Sequence, residues 1–191
     1  MDLSPKWAFR ALIASMLLLS GYWTVDVQVR RMRLFGSTAS LEIASGGEVV
    51  FGQPIDGDEI SVKHGDQTFT VRLLGIKAFD VSNEPGLGDP GQRAIDTLQR
   101  YAGKSGRVLF PERNVDGAGR LLAYLEVEGA DVGAELVRDG WALVYTKYPF
   151  SEMEAYLALE ELAQVEHRGL WSSPKATERA LKVQAGWEGE P

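Results

Sequence analysis

The chain opens on one long apolar run and continues as short alternating segments, so it predicts two unlike parts. Ala11 to Val25 carries no charge, and Trp7 to Val25 carries only Arg10. The stretch Ala11-Leu12-Ile13-Ala14-Ser15-Met16-Leu17-Leu18-Leu19 is strongly apolar. A helix over the nineteen residues Trp7–Val25, at ~1.5 Å per residue, spans roughly 28 Å, close to the hydrocarbon thickness of a bilayer. Trp7 at one end and Tyr22 and Trp23 at the other suit a lipid–water boundary, and Arg10 lies where its stem can reach the headgroups. The pattern predicts a single N-terminal transmembrane helix. A cleaved signal peptide would need small residues soon after the run, whereas Asp26 and Arg30-Arg31-Met32-Arg33 follow. A buried soluble helix is the other alternative at this length.

Beyond a short joint at Phe35–Thr38, the periodicity changes. Glu48–Phe51 reads as a strand ended by Gly52 and Pro54. Asp58–Lys63 and Gln67–Ile76 read as two strands around the turn His64-Gly65-Asp66, with Phe69, Val71 and Leu73 alternating with Thr70, Arg72 and Leu74. Asp80–Pro90 is rich in Gly, Pro, Asn and Asp and reads as a loop. A helix is predicted from Gly91 to about Tyr101, with Ala94, Leu98 and Tyr101 on one side. Arg107–Phe110 and Leu121–Val127 read as strands, Val132–Arg138 as a helix stopping at Gly140, and Val144-Tyr145 as a short strand. The last clear helix covers about Glu152–His167, with Tyr156, Leu159 and Ala163 as its apolar stripe. Its acidic residues Glu152, Glu154, Glu160, Glu161 and Glu166 read mostly as a solvated face. A short helix near Glu178–Gln184 is allowed in an otherwise polar ending.

Together these elements predict an α+β chain: a five-stranded OB-type β-barrel with about three packed helices, preceded by the transmembrane helix. The divisions are 1–33 for anchor and basic flank, 34–47 for a linker, 48–172 for the barrel domain and 173–191 for a polar tail. Charge sharpens this division. Residues 1–33 carry a net +3 within a chain of −7, leaving −10 for the rest. The stronger basic flank follows the span, which places the body on the cytosolic or matrix side. An acidic body disfavours nucleic acid as a tightly bound partner, since phosphates are usually met by a basic face. The absence of cysteine excludes disulfides and thiolate metal sites, and two histidines, His64 and His167, make a histidine-based metal centre a poor fit. His64 reads as an exposed hairpin residue and His167 as the last turn of a helix.

Four strings carry the chemistry: Asp56-Gly57-Asp58, Val71-Arg72-Leu73-Leu74-Gly75-Ile76, Gly119-Arg120-Leu121-Leu122-Ala123-Tyr124, and Leu136-Val137-Arg138-Asp139-Gly140-Trp141. With the closing Gly169-Leu170-Trp171, their ordered set resembles the staphylococcal nuclease (thermonuclease-like) family over roughly residues 48–172. The resemblance implies an OB barrel in which calcium sits between two aspartates and a backbone carbonyl, a glutamate assists a water, and two arginines hold phosphate. Carried over by position, Asp58 matches the first calcium aspartate, and Arg72 and Arg120 match the phosphate-binding arginines. Asp80, in the run Lys77-Ala78-Phe79-Asp80, stands where the family places its general-base glutamate. Lys77 replaces the second calcium ligand.

That replacement exchanges a carboxylate for an ammonium, a local change of +2. At ~4 Å and an effective dielectric near 20, repulsion amounts to about 4 kcal/mol per unit charge on an ion. No cofactor is therefore expected, calcium included, unless the site is active. Lys77 is instead positioned to pair with Asp58. Arg72 and Arg120 then serve either as ion-pair partners of Asp58, Asp80 or Asp116 or as a residual phosphate clamp. The leading expectation is a non-catalytic, membrane-anchored nuclease-fold protein acting as an accessory subunit of a membrane assembly, with other protein subunits and the bilayer as partners. The mitochondrial inner membrane is slightly favoured over a bacterial envelope. The alternatives are a tethered phosphodiesterase using Arg72, Asp80 and Arg120, and a phosphate- or nucleic-acid-binding module.

Overall fold

The computed structural model describes residues 43–79, 88–111, 115 and 120–188. The chain divides into Met1–Leu41 and Glu42–Pro191, and the described residues belong to the second unit. The anticipated anchor, with Trp7, Arg10, Tyr22 and Trp23, lies outside the described residues. Among the described residues no helix is long and apolar enough to cross a membrane.

Five strands close a barrel: β1 (Gly47–Asp56), β2 (Glu59–His64), β3 (Gln67–Leu73), β5 (Ser105–Leu109) and β6 (Leu121–Val127). They lie in the order β3-β2-β1-β5-β6, and a further β3–β6 pairing completes the circle. Neighbours are antiparallel except β3 and β6, which run parallel at the closure with Val71 beside Leu121. Alternation explains the inside of the barrel. Ile60 and Val62 of β2, Val71 and Leu73 of β3, and Leu121, Ala123 and Leu125 of β6 are buried two residues apart. The short β7 (Ala130–Asp131) extends the sheet from β6. A separate pair joins β4 (Ile76–Ala78) to β8 (Ala142–Val144), with Lys77 opposite Leu143.

Helix α1 (Gly88–Gln99) sends Ala94 and Leu98 into the core. Helix α2 (Val132–Arg138) begins at Asp131, whose Oδ1 accepts the N–H groups of Gly133 and Ala134. It ends near Gly140, whose φ is +74° and where a Cβ would fall 2.4 Å from the Arg168 carbonyl oxygen. Helix α3 (Met153–Val165) and a 3-10 turn (Gly169–Ser172) lead to helix α4 (Pro174–Glu188). A second apolar cluster of Phe79, Leu143, Ala163, Leu170, Trp171, Ala176 and Ala180, joined by Val183 and Trp187, sits where α4 meets these elements.

Several sequence expectations change. β1 does not stop at Gly52; it runs on to Asp56 through two register shifts, which accommodate Pro54 and its missing N–H. Four helices rather than three lie in the described residues, because the polar ending folds into the 15-residue α4. Its small side chains Ala176 and Ala180 give a weak hydrophobic signal yet pack closely. Glu160 leaves the solvated face assigned to it and is buried. His64 is half-buried, with Nδ1 2.7 Å from the Glu48 carbonyl oxygen.

Candidate functional site

The site forms where the β1–β2 turn meets the ends of β3, β4 and β6. Gly57 makes this meeting possible: a Cβ there would stand 2.7 Å from that of Ala78 and 2.9 Å from that of Ala94. Without one, the turn drops against β4 and α1. Asp56 Oδ1 accepts the Gly57 N–H at 2.7 Å, fixing the bend, and the Asp58 carbonyl accepts the Leu73 N–H at 2.9 Å.

Asp58 is the centre of the arrangement and has no exposure to water. Arg72 grips it with two nitrogens, Nη1 to Oδ1 at 2.9 Å and Nη2 to Oδ2 at 3.1 Å. The Ala78 N–H donates to Oδ2 at 3.0 Å. Lys77 Nζ lies 3.4 Å from the same oxygen, so the expected ion pair is present, although the lysine side chain keeps 37% of its exposure. A buried carboxylate survives when cations and N–H donors replace its water, and the two-pronged guanidinium is the strongest such partner.

Glu59 completes the cluster and was missed by the sequence reading. Its Oε1 accepts from Arg72 Nη1 at 3.1 Å and from Arg120 Nη1 at 2.6 Å. Its place follows from pairing: Glu59 stands directly opposite Arg72 across the β2–β3 ladder. Counting outward from the three-residue turn His64-Gly65-Asp66 would have set Arg72 opposite Asp58; the observed turn is Gly65-Asp66 alone, with His64 opposite Gln67, and that one-residue difference brings Glu59 there. Arg120 reaches the same carboxylate because it precedes Leu121, which the parallel pairing sets beside Val71. Asp80 and Asp116, considered as partners or water-orienting groups, lie outside the described residues.

Among the described residues, the donor set does not fit calcium. The ion asks for six to eight oxygens with carboxylates to offset its charge. Here both Asp58 oxygens and Glu59 Oε1 already accept from Arg72, Lys77, Arg120 and the Ala78 N–H. Among the described residues no group of three or more His, Cys, Asp or Glu side chains converges on a point that could hold a metal. What the cluster offers chemically is cationic: two guanidiniums and an ammonium around two carboxylates.

The family model described as staphylococcal nuclease homologue matches residues 70–173. Over 143 residues the chain is 32% identical to Protein ParB of Escherichia coli, spanning 69% of this chain and 75% of that protein. Over 141 residues it is 35% identical to micrococcal nuclease of Shigella flexneri, spanning 69% and 76% respectively. With a closed five-stranded barrel and the Asp58, Arg72 and Arg120 cluster at its rim, the chain belongs to the staphylococcal nuclease homologue family.

Proposed function

We propose that this chain is a nuclease-fold protein that has given up calcium-assisted phosphodiester cleavage and works as an accessory subunit of a membrane assembly, tethered by its N-terminal segment. One observation carries the reading: an ammonium, Lys77 Nζ, stands 3.4 Å from the Asp58 carboxylate, on the residue that the resemblance aligns with the second metal-binding carboxylate. Arg72 and Arg120 bear on Glu59, so their charge is engaged by the fold. The tether rests on the apolar run from Trp7 to Val25. The two relatives come from bacteria, which weighs toward a bacterial envelope over the mitochondrial inner membrane.

The test pairs a nuclease assay with calorimetry. The expected outcome is no calcium-dependent cleavage of DNA or RNA and no calcium binding by the wild-type protein. Lys77→Asp, which restores a second carboxylate, is expected to introduce measurable calcium binding. Calcium-dependent cleavage by the wild type that disappears in Asp58→Ala would overturn the proposal. Membrane fractionation tests the tether, which fails if the full chain remains in the soluble fraction.

A second reading is a tethered nuclease, supported by the retained Arg72 and Arg120 and by the relative named micrococcal nuclease. In it the guanidiniums and Lys77 stabilise charge on phosphate, and cleavage is independent of added metal. Absence of any hydrolysis of single-stranded DNA or RNA with protein in large excess would eliminate it.

A further inference from the structure

Helix α4 begins at Pro174, one residue past the family match that ends at 173. Its apolar face consists of Ala176 and Ala180 with partly buried Val183 and Trp187. Beneath it lie Phe79, which directly follows Lys77-Ala78, and Leu143, which pairs with Lys77 across β4 and β8. Trp187 sets its ring edge-on to Tyr145 at 4.8 Å, and the Tyr145 N–H donates to the Gly75 carbonyl just before β4. The helix therefore braces the small strand pair that carries Lys77.

One polar contact fastens it. Glu160 of α3, only 4% exposed, accepts the Val144 N–H of β8 at 2.9 Å through Oε1 and the Gln184 side-chain N–H of α4 at 2.9 Å through Oε2. One carboxylate thus joins three elements. We propose that α4 is a detachable clamp on the β4–β8 pair, latched at Glu160 and Gln184 and released as that carboxylate gains its charge. The proposal holds whether or not the site cleaves phosphodiesters.

Three features make the docking weak enough to reverse. The fully buried part of the α4 face is two alanines, with Val183 and Trp187 only partly covered, so little apolar area leaves the water. Among the described residues the buried Trp171 indole Nε1–H, within the same cluster, finds no hydrogen-bond partner. Glu160 is met by neutral donors only: β8 presents a backbone amide, α4 presents a carboxamide, and the 3-10 turn has no ionisable side chain. The charged residues of α4 at its docked span, Lys175, Glu178, Arg179 and Lys182, are all on its exposed side, as is Glu161 of α3. Burial accordingly raises the Glu160 carboxyl above its ordinary 4.5, against the smaller lowering effects of the Val144 and Gln184 hydrogen bonds.

The direction follows from linkage. Docking buries Glu160, so the docked state holds the proton to higher pH than the undocked state. Between the ordinary carboxyl value and the raised one, increasing pH favours release; below that window the latch contributes no pH dependence. Acidification tightens the clamp.

Hydrogen exchange on the full chain tests this, comparing amides of α4 and Val144 with barrel amides such as Val62 and Leu125. After correction for intrinsic exchange chemistry, the open fraction of α4 should rise with pH across the window by up to about tenfold per unit, the limit for one proton. In Glu160→Gln the same amides should show a flat response. In Gln184→Leu α4 should open more at every pH while barrel protection is unchanged. A pH-independent α4 in the wild type, or an unchanged slope in Glu160→Gln, would overturn the proposal. So would α4 and the barrel opening together in all three proteins.

Discussion

Among the described residues two carboxylates lie almost wholly out of water, and they are held in opposite ways. Asp58, at the rim of the barrel, is surrounded by the Arg72 guanidinium, the Lys77 ammonium and a backbone N–H. Glu160, at the seam of α3, β8 and α4, meets two neutral N–H donors and, among the described residues, no cation. The geometry of each is satisfied, but only the first is compensated in charge. Ion pairing makes a carboxylate a permanent part of a fold. Neutral hydrogen bonding leaves its charge expensive, and hence open to control by pH.

The sharpest way to break this comparison is to neutralise each group with its isostere. Asp58→Asn should cost about 3 kcal/mol in urea denaturation at neutral pH, since it leaves Arg72 and Lys77 facing a neutral amide. A loss below about 1 kcal/mol would show that the cations are satisfied without it. Glu160→Gln should do the reverse, gaining up to about 1 kcal/mol at pH 8 because the buried charge is gone while an amide still pairs with Gln184. The sign check is specific. Glu160 is raised from 4.5, so its charged form penalises the fold as pH rises, and the wild type and Glu160→Gln should converge in stability below that value. Equal pH profiles for the two proteins would erase the contrast.

The smallest expected effect separates partners of a single carboxylate. Lys77→Ala should cost at most about 1 kcal/mol, because its ammonium is 3.4 Å away and its side chain is 37% exposed. If it costs as much as Asp58→Asn, the ammonium rather than the guanidinium dominates the cluster. A small cost would mean that Lys77 matters through what it keeps out of the site, and Lys77→Asp addresses that directly.

Much of the barrel was legible because its signal is local. Alternation in β2, β3 and β6, the turn at His64-Gly65-Asp66 and the ordered motifs around Asp58, Arg72 and Arg120 each span a few residues. Lys77 against Asp58 was also legible, since the family positions place both at one point. Glu59 was not, because its role depends on which strand faces which. It became visible only with the register that sets it opposite Arg72 and near Arg120. Glu160 was misread for a related reason. Its neighbours along α3 are exposed glutamates, and nothing local distinguishes it from them.

By itself the sequence determined the periodicity of the strands, the charge exchanged at residue 77 and the family to which these strings point. These are properties of composition and spacing, carried within single elements. The tertiary structure alone decided that Glu59 bridges two arginines, that α4 lies over Phe79 and Leu143, and that Glu160 sits beneath it. Each of these depends on residues far apart along the chain being brought within hydrogen-bonding or van der Waals reach. That proximity fixes the environment of a charged group, and the environment rather than the residue type sets what its charge costs.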